Sequence, residues 1–357
     1  MKYFDKITTA PVNTGAIILA IESSCDETAA SIVKGGREIL SSVVLSSMTE
    51  HVRFGGVVPE IASRAHTVAI SQAVESAVSQ AKLTLQDIDA IAVTYGSGLI
   101  GALLVGVSYA KALAFSLGIP LVPVSHVRGH VSASYLTDKE LKPPFICLLA
   151  SGGHTAIIDV KDYDDYEILG GTLDDAVGEA FDKVARVLGL EYPGGPNVER
   201  LAKDGKPRVE LPTMLKGKSG YDFSYSGLKT AVINYAHKME QKNEEYSKRD
   251  LACSFQCSAI DVLVKKALTA VKEKGYSVLT VGGGVAANGY LREKLSVECE
   301  KLNVKLVLPE KKLCTDNACM IGAEGYIQYL KRNFAPLSLN AKAFVELSSS
   351  GKYEKNI

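Results

Sequence analysis

Neither sign of charge dominates this chain. Lysine and arginine together number 40, as do aspartate and glutamate, so the net charge is zero. Bulk electrostatics therefore announces no nucleic-acid partner, which would need a local basic patch instead. A disulfide framework is also missing. The seven cysteines (Cys25, Cys147, Cys253, Cys257, Cys299, Cys314 and Cys319) are odd in number and form no CxxC pair. That usage points to a reducing compartment and to buried structural thiols. No run reaches the roughly 18–20 uncharged apolar residues that a membrane span needs. The opening MKYFDKITTAPVNTG has neither the apolar core of a secretory signal nor the arginines of a transit peptide. These absences predict a cytoplasmic protein with a disordered lead over residues 1–15. Two catalytic signatures are absent as well: the GxxxxGK[ST] phosphate loop and the HExxH of zinc proteases.

What is present is ordinary in bulk and distinctive in order. With 357 residues, 46% apolar and 22% charged, the chain has material for two cores. AIILAIESSCDETAASIV (16–33) reads as strand, polar turn, strand. A helical pattern follows from Pro59 to about Gln80. Then come a strand at 90–96, the turn GSGLIG, an apolar helix, and the strand PLVPVS. After LKPPF the pattern restarts with FICLLASGGHTAIIDV (145–160), again strand, turn, strand. A helix is expected at about 173–188, started by Thr172 or Asp175 and ended at Gly189. Further helices cover SGLKTAVINYAHKMEQ and ACSFQCSAIDVLVKKALTAVKEKG. The strand SVLTVGGG leads into another helix, and CTDNACMIGAEGYIQYLKR is a last helix started near Thr315 or Asp316. The restart is an internal structural repeat and gives an α/β protein of two lobes. The expected boundaries are 16–142 joined by a C-terminal helix 316–332, then 143–315, with a loosely held tail over 334–357. Turns 22–28, 151–155 and 282–289 are expected to line a cleft between the lobes.

The chemistry-bearing residues lie in those turns. HVRGH places His126 and His130 four residues apart, on one helix face, where both can chelate one cation. A pair at a helix end without a metal fits the spacing too. Asp316 in CTDNA offers a carboxylate as third ligand, and two imidazoles with one carboxylate suit iron or zinc. In ASGGHT, Gly152 and Gly153 let backbone approach a phosphate or carboxylate, or simply close a hairpin. VGGGVAANGYL has a nucleotide-accepting shape in which Asn288 is the candidate contact, and PGGP is a turn that backbone could offer to a ligand. ESSCDET gathers Glu22, Asp26 and Glu27 in one turn, able to orient metal-bound waters or a substrate amine, or merely to form the turn. Phe223 and Tyr225 fit either base stacking or core packing. The stretch 200–218, with Arg200, Lys203, Lys206, Arg208, Lys216 and Lys218, is a candidate backbone contact for a nucleic acid.

Taken in order, AIESSCDETAASIV, FGGVVPEIASRAH, GLIGALLVGVSYAKALA, SHVRGH, LLASGGHT, TLDDAVGEAFDKVARVLGLEYPGGP, FSYSGLKTAV, GGGVAANGYLR and CTDNACMIGAEG resemble the tRNA adenosine threonylcarbamoyltransferase family over about residues 16–332. The similarity is greatest to its bacterial TsaD-type catalytic subunits. The resemblance implies the two-lobed actin, sugar-kinase and Hsp70-like (ASKHA) fold, with a nucleotide cleft between lobes. It implies transfer of threonylcarbamoyl from threonylcarbamoyl-AMP to the exocyclic amine of the adenosine 3′ of the anticodon, in tRNAs reading codons that begin with A. It places one iron or zinc ion on His126, His130 and Asp316, and adenylate contacts on Leu149, Ala150, Ser151, Gly152, Gly153, Asp182, Gly195 and Asn288. Asp26 and Glu27 are the candidates for orienting the amine or relaying a proton. Implied partners are a paralogous TsaB-type subunit and a TsaE-type ATPase, and some relatives act as homodimers. Two departures stand out: GSGL at 96–99 where relatives often have GPGL, and Arg128 where an acidic residue is common, a positive charge beside the expected metal. The rival readings are a metalloprotease, which lacks its glutamate base, an ATPase or kinase of the same fold, which has no need of the histidine pair, and a non-catalytic scaffold, which would lack the three ligands.

Overall fold

The computed structural model describes residues 3–9, 11–215 and 220–347. They form two compact units. The first comprises Met1–Lys142, Asp162–Tyr166 and Thr315–Ile357, and the second Pro143–Lys161 and Glu167–Cys314.

In the first unit, α1 (Tyr3–Thr9) precedes β1 (Ile17–Glu22), β2 (Glu27–Lys34) and β3 (Glu38–Ser46). Then follow α2 (Met48–Val52), α3 (Pro59–Gln80), β4 (Ala90–Gly96), α4 (Ile100–Leu117), β5 (Leu121–Ser125) and α5 (His126–Thr137). In the second unit come β6 (Phe145–Ala150), β7 (Thr155–Val160), β8 (Tyr166–Gly171), α6 (Val177–Val187), α7 (Gly194–Ala202), α8 (Ser226–Lys242), α9 (Lys248–Lys274), β9 (Val278–Gly282), α10 (Gly289–Lys301), β10 (Lys305–Val307) and α11 (Lys311–Cys314). The last helix, α12 (Ala318–Leu330), returns to the first unit.

The first sheet has the order β3-β2-β1-β4-β5 and the second β10-β9-β6-β7-β8. Numbered within its own unit, each runs third, second, first, fourth, fifth. In both, the opening hairpin is antiparallel and the later strands join in parallel. This doubled topology is that of the actin, sugar-kinase and Hsp70-like class, as the family resemblance implies. Alternation along β1 serves both faces of its sheet. Leu19 and Ile21 enter a core with α3 and α4, while Ile18 and Ala20 enter a second core with α12. α12 lies so close to the sheet that a Cβ on Gly325 would stand 2.4 Å from that of Ala92. α4 has the length and composition of a membrane span, but its Leu103, Val107, Ala110 and Ala114 are buried, and Val107, Ala110 and Ala114 pack in the first of these cores. One face of it packs into the first unit, and the other, with Ile100, Leu104 and Phe115, is exposed.

Several expectations are corrected. Residues 3–9 of the supposed disordered lead form α1, which buries Ile7. The expected helix at 173–188 starts later, at Val177. Its N–H is received by Thr155 Oγ1 (2.9 Å) rather than by Thr172 or Asp175. Thr172 instead donates its hydroxyl to the Asp175 carbonyl. The segment after 334 is not loose as far as it is described. Ala335 and Leu339 are fully buried. The Ala335 N–H donates to the Leu121 carbonyl and that of Lys342 to Tyr95 (both 2.8 Å), while the Gly98 N–H donates to Ala343 (3.0 Å). The Val345 N–H donates to Ser97 Oγ (2.9 Å), so the serine that replaces the frequent proline of this turn tethers the tail. Residues 348–357 of the expected tail lie outside the described residues.

Candidate metal centre and glycine turns

The metal candidates meet within the first unit. His126 and His130 open α5, directly after β5, and both are buried. Asp316 sits in the bend before α12. The expected start of that helix at Thr315 or Asp316 is corrected: Asn317 is the cap, its Oδ1 accepting from the Met320 N–H (3.0 Å). Because Asn317 takes that duty, Asp316 Oδ1 faces the histidines, 3.4 Å from His126 Nε2 and 3.3 Å from His130 Nε2. One ligand atom from each of the three residues lies within 4.8 Å of the other two.

The protonation logic of this cluster calls for a cation. Glu22 Oε2 lies 3.2 Å from His126 Nδ1 and commits that nitrogen to an N–H. His126 Nε2 then presents a lone pair toward a carboxylate oxygen, an arrangement that needs a proton or a metal between them. Burial pulls the His126 imidazole down, but Asp316 and Glu22 outweigh it and raise the group to about 9. Burial lowers His130 although Asp316 opposes it, and its Nδ1 meets no hydrogen-bond partner among the described residues. A buried imidazole whose Nε2 shares a carboxylate oxygen with a second imidazole fits a metal ligand.

Glu22, one of the three turn carboxylates that the sequence singles out, stands behind His126. It is fully buried at the end of β1 and accepts from the Ser24 N–H (2.5 Å) and the Thr94 hydroxyl (2.6 Å) as well as from His126. Burial pushes its carboxyl up, yet His126 and Ser24 bring it below the usual carboxylate range. It is the carboxylate that fixes the tautomer of His126, a candidate metal ligand. Its place in the same turn as Asp26 and Glu27 signalled it in sequence.

Arg128 does not add a stray positive charge to this cluster. Its Nε donates to Glu324 (2.8 Å) with both groups buried, and its guanidinium stacks 4.0 Å over the Tyr166 ring. Ser132 and Gln328 complete the bonds of Glu324.

Asp26 is buried and its carbonyl accepts from both the N–H and the hydroxyl of Ser47. Burial first, then Asp26, raises the Glu27 carboxyl to about 9, so Glu27 meets neutral pH holding a proton. Burial and Asp26 likewise keep the Cys25 thiol protonated, which removes it as a nucleophile.

The expected adenylate contacts all lie in the second unit, at the end of β6 and the turn after it, on α6, at the start of α7 and at the start of α10. Ser151 to His154 close the β6–β7 hairpin, the Ser151 N–H donating to the His154 carbonyl (2.7 Å). Gly152 and Gly153 are exposed, and a Cβ on either would meet nothing within 4 Å. Leu149 and Ala150 belong to β6 with buried side chains, which leaves them only backbone to offer. α6 abuts this turn. A Cβ on Gly178 would stand 2.7 Å from the Ser151 carbonyl oxygen, so only glycine permits the approach. One turn along α6, Asp182 accepts from the Gly194 N–H (2.8 Å). Burial raises its carboxyl, opposed by the N–H groups of Gly194 and Gly195. Asn288 starts α10, its Oδ1 accepting from Leu291 N–H and its amide donating to Gln256 (both 3.0 Å). Asp182 and Asn288 thus shape their turns before they touch anything else.

Phe223 and Tyr225 are fully buried and stacked on one another, 6.3 Å between centroids, which places them in the core. In the basic stretch, Lys203 and Lys206 are exposed, Arg200 is held by Asn197, and Arg208 pairs with Asp250 at 3.5 Å. Lys216 and Lys218 lie outside the described residues.

Comparison with known proteins decides the family. The model of the TsaD family, tRNA N6-adenosine threonylcarbamoyltransferase, matches residues 38–323. The chain belongs to the tRNA N6-adenosine threonylcarbamoyltransferase family. A relative of that name from Clostridium perfringens strain SM101 is 53% identical over 332 residues, 93% of this chain and 98% of the relative. One from Clostridium botulinum strain Kyoto is 52% identical over 325 residues, 91% and 96%. Among solved structures, HypF from T. kodakarensis superposes with a TM-score of 0.62 at 14% identity, over 90% of this chain and 48% of HypF. The (R)-2-hydroxyglutaryl-CoA dehydratase component A of Acidaminococcus fermentans gives 0.52 at 14%, over 88% and 99%. These two share the fold. As a tRNA N6-adenosine threonylcarbamoyltransferase family member, the protein is a transferase acting on tRNA.

Proposed function

We propose that the protein moves threonylcarbamoyl from threonylcarbamoyl-AMP to the N6 amine of the adenosine 3′ of the anticodon, in tRNAs reading codons that begin with A. The amine nitrogen forms a bond to the carbamoyl carbon, the bond from that carbon to the phosphate oxygen breaks, AMP departs, and the amine gives up a proton. The observation that carries this reading is the His126–His130–Asp316 cluster with Glu22 behind it. A divalent ion held there, iron or zinc, supplies a Lewis acid and a template for substrate oxygens. Backbone N–H groups of Ser151 to Gly153 hold anionic oxygens of the donor. The turns shaped by Asp182 and Asn288 receive the adenosine part, Gly195 offering backbone. Asp26 or Glu27 orients the incoming amine or relays the proton it gives up, which passes on to solvent.

TsaB-type and TsaE-type proteins are the proposed partners, and the exposed Lys203 and Lys206 a proposed contact to the tRNA backbone. We place the protein in the cytoplasm, a setting that its seven free thiols suit. The test is nucleoside mass spectrometry on unmodified tRNA incubated with the protein, L-threonine, bicarbonate, ATP and an adenylate-forming enzyme, with and without partner proteins. Threonylcarbamoyladenosine is expected, and is lost in His126→Ala. Full product and full metal content in that variant would sink the metal role. ATP hydrolysis without product, partners included, would favour the ATPase reading.

A further inference from the structure

The first unit holds two more buried histidines, His51 on α2 and His66 on α3, outside the metal cluster. Both reach the turn between β1 and β2. The β1–β2 ladder ends at Glu22 paired with Ala29, so β1 offers nothing to the carbonyls of Cys25 and Asp26. Buried carbonyls need donors. His66 Nε2 donates to the Cys25 carbonyl (3.0 Å), and its Nδ1 accepts from the Thr28 hydroxyl (2.7 Å). His51 Nδ1 accepts from the Val58 N–H (3.3 Å), so its Nε2 carries the hydrogen and donates to Ser47 Oγ (3.1 Å). Ser47 passes the chain on to the Asp26 carbonyl (2.9 Å). In each ring a backbone partner fixes the same tautomer. Helix α3 thus holds the Cys25 carbonyl directly, and α2 holds the next one at one remove, through the hydroxyl of Ser47, whose N–H also donates to the Asp26 carbonyl. On the same stretch of chain, Ser24 Oγ lies 3.0 Å from His126 Nδ1, and the Leu99 N–H donates to the Ser24 carbonyl (2.8 Å).

We propose that His51 and His66 are positioning residues for the transfer, clamping the Cys25 and Asp26 carbonyls so that the Asp26 and Glu27 carboxyl groups stay aimed at the reacting amine. The inference rests on the role given above to Asp26. Released carbonyls would turn the peptide planes on both sides of Asp26, and misplacement of a reacting group by about 1 Å can cost on the order of 100-fold in rate.

The experiment is steady-state transfer kinetics on the full chain with its partners, for His66→Phe, His66→Gln, His51→Phe and His51→Gln. The phenylalanine variants keep bulk and lose the donor. They are expected to lower kcat by roughly 10–100-fold, with KM for tRNA and donor and the bound metal unchanged. The glutamine amide offers an N–H close to the lost Nε2 and is expected to restore most of kcat. In an Asp26→Asn background, His66→Phe should cause no further loss, because it acts through the residue already removed. A wild-type kcat in His66→Phe, a full additional loss on top of Asp26→Asn, or no recovery with glutamine would each overturn the clamp. If His66→Phe does not fold, the His66→Gln variant decides: near-wild-type kcat supports the clamp, and a loss as large as that of Asp26→Asn overturns it. Wild-type kcat in Asp26→Asn alone would instead sink the role of Asp26, a failure distinct from that of the clamp.

Discussion

Replacing Glu22 by glutamine changes one buried atom and unsettles one ring. The Ser24 N–H points at Oε1 from 2.5 Å and requires an acceptor there, so the new amide oxygen takes that position. Its NH2 then stands where Oε2 met Thr94 Oγ1 at 2.6 Å and His126 Nδ1 at 3.2 Å. The Thr94 hydroxyl can turn and accept. His126 can accept from it only by moving its hydrogen to Nε2, the atom that faces Asp316; otherwise Nδ1 keeps Ser24 Oγ, 3.0 Å away, as its acceptor. A nitrogen carrying hydrogen cannot ligate, so the first form must reverse its tautomer to bind, and the second binds without its carboxylate. Loss of such an outer partner typically costs 10–100-fold in metal affinity, or about 1.4–2.8 kcal/mol. The assay is competition for zinc against a chromophoric chelator, with thermal melting of the metal-free protein as the control for folding. Because the swap takes one of two carboxylates from the raised His126 imidazole, the metal-free protein should melt lower, and affinities are compared at a temperature where both proteins are folded. Zinc affinity within about threefold of wild type in the folded variant would refute the carboxylate–histidine–metal reasoning.

Two further outcomes rest on buried groups. Glu324→Leu leaves the Arg128 guanidinium buried without its carboxylate and should cost about 3–5 kcal/mol. For a unit of roughly 150–250 residues that lowers Tm by about 10 °C. Arg128→Met in the same chain should return most of it, and a Tm loss below about 3 °C in the single variant would contradict the pairing. Glu27 holds its proton more tightly folded, at about 9, than the 4.5 of a free carboxyl. Its contribution is fully present below the unfolded value and is lost as pH rises through the folded one. Metal-free protein should therefore lose stability between about pH 5 and 9. Urea melts across that range should show a shallower decline in Glu27→Gln, and parallel declines would count against the shift.

Local spacing made much of this legible. An i, i+4 histidine pair needs nothing but a helix to converge, and helix α3 runs over the residues its periodicity marked, Pro59–Gln80. The repeat of strand, turn and strand at 16–33 and 145–160 correctly indicated a doubled sheet. What escaped depends on neighbours far away in the chain. β3 buries only Ser41 fully and alternates weakly, so its place at the sheet edge comes from pairing with β2. Glu22 was legible as a turn carboxylate, but its bond to His126, 104 positions on, was not. The Arg128 charge looked unopposed because Glu324 is 196 positions distant. The tail looked loose because its bonds go to Leu121, Tyr95, Ser97 and Gly98, all more than 200 positions back in the chain and most of them at the backbone.

The return of α12 to the first unit sets an order of events during synthesis. The second unit lies between Lys142 and Thr315 and is essentially complete when Cys314 leaves the ribosome. The first unit, although begun earlier, then still lacks the helix that covers one face of its sheet. At 5–20 residues per second, the histidine pair waits roughly 10–40 s for Asp316. A chain cut short before Asp316 therefore carries two unescorted imidazoles and an uncovered apolar sheet face. Quality control and metal loading would thus read the same late event, the arrival of α12.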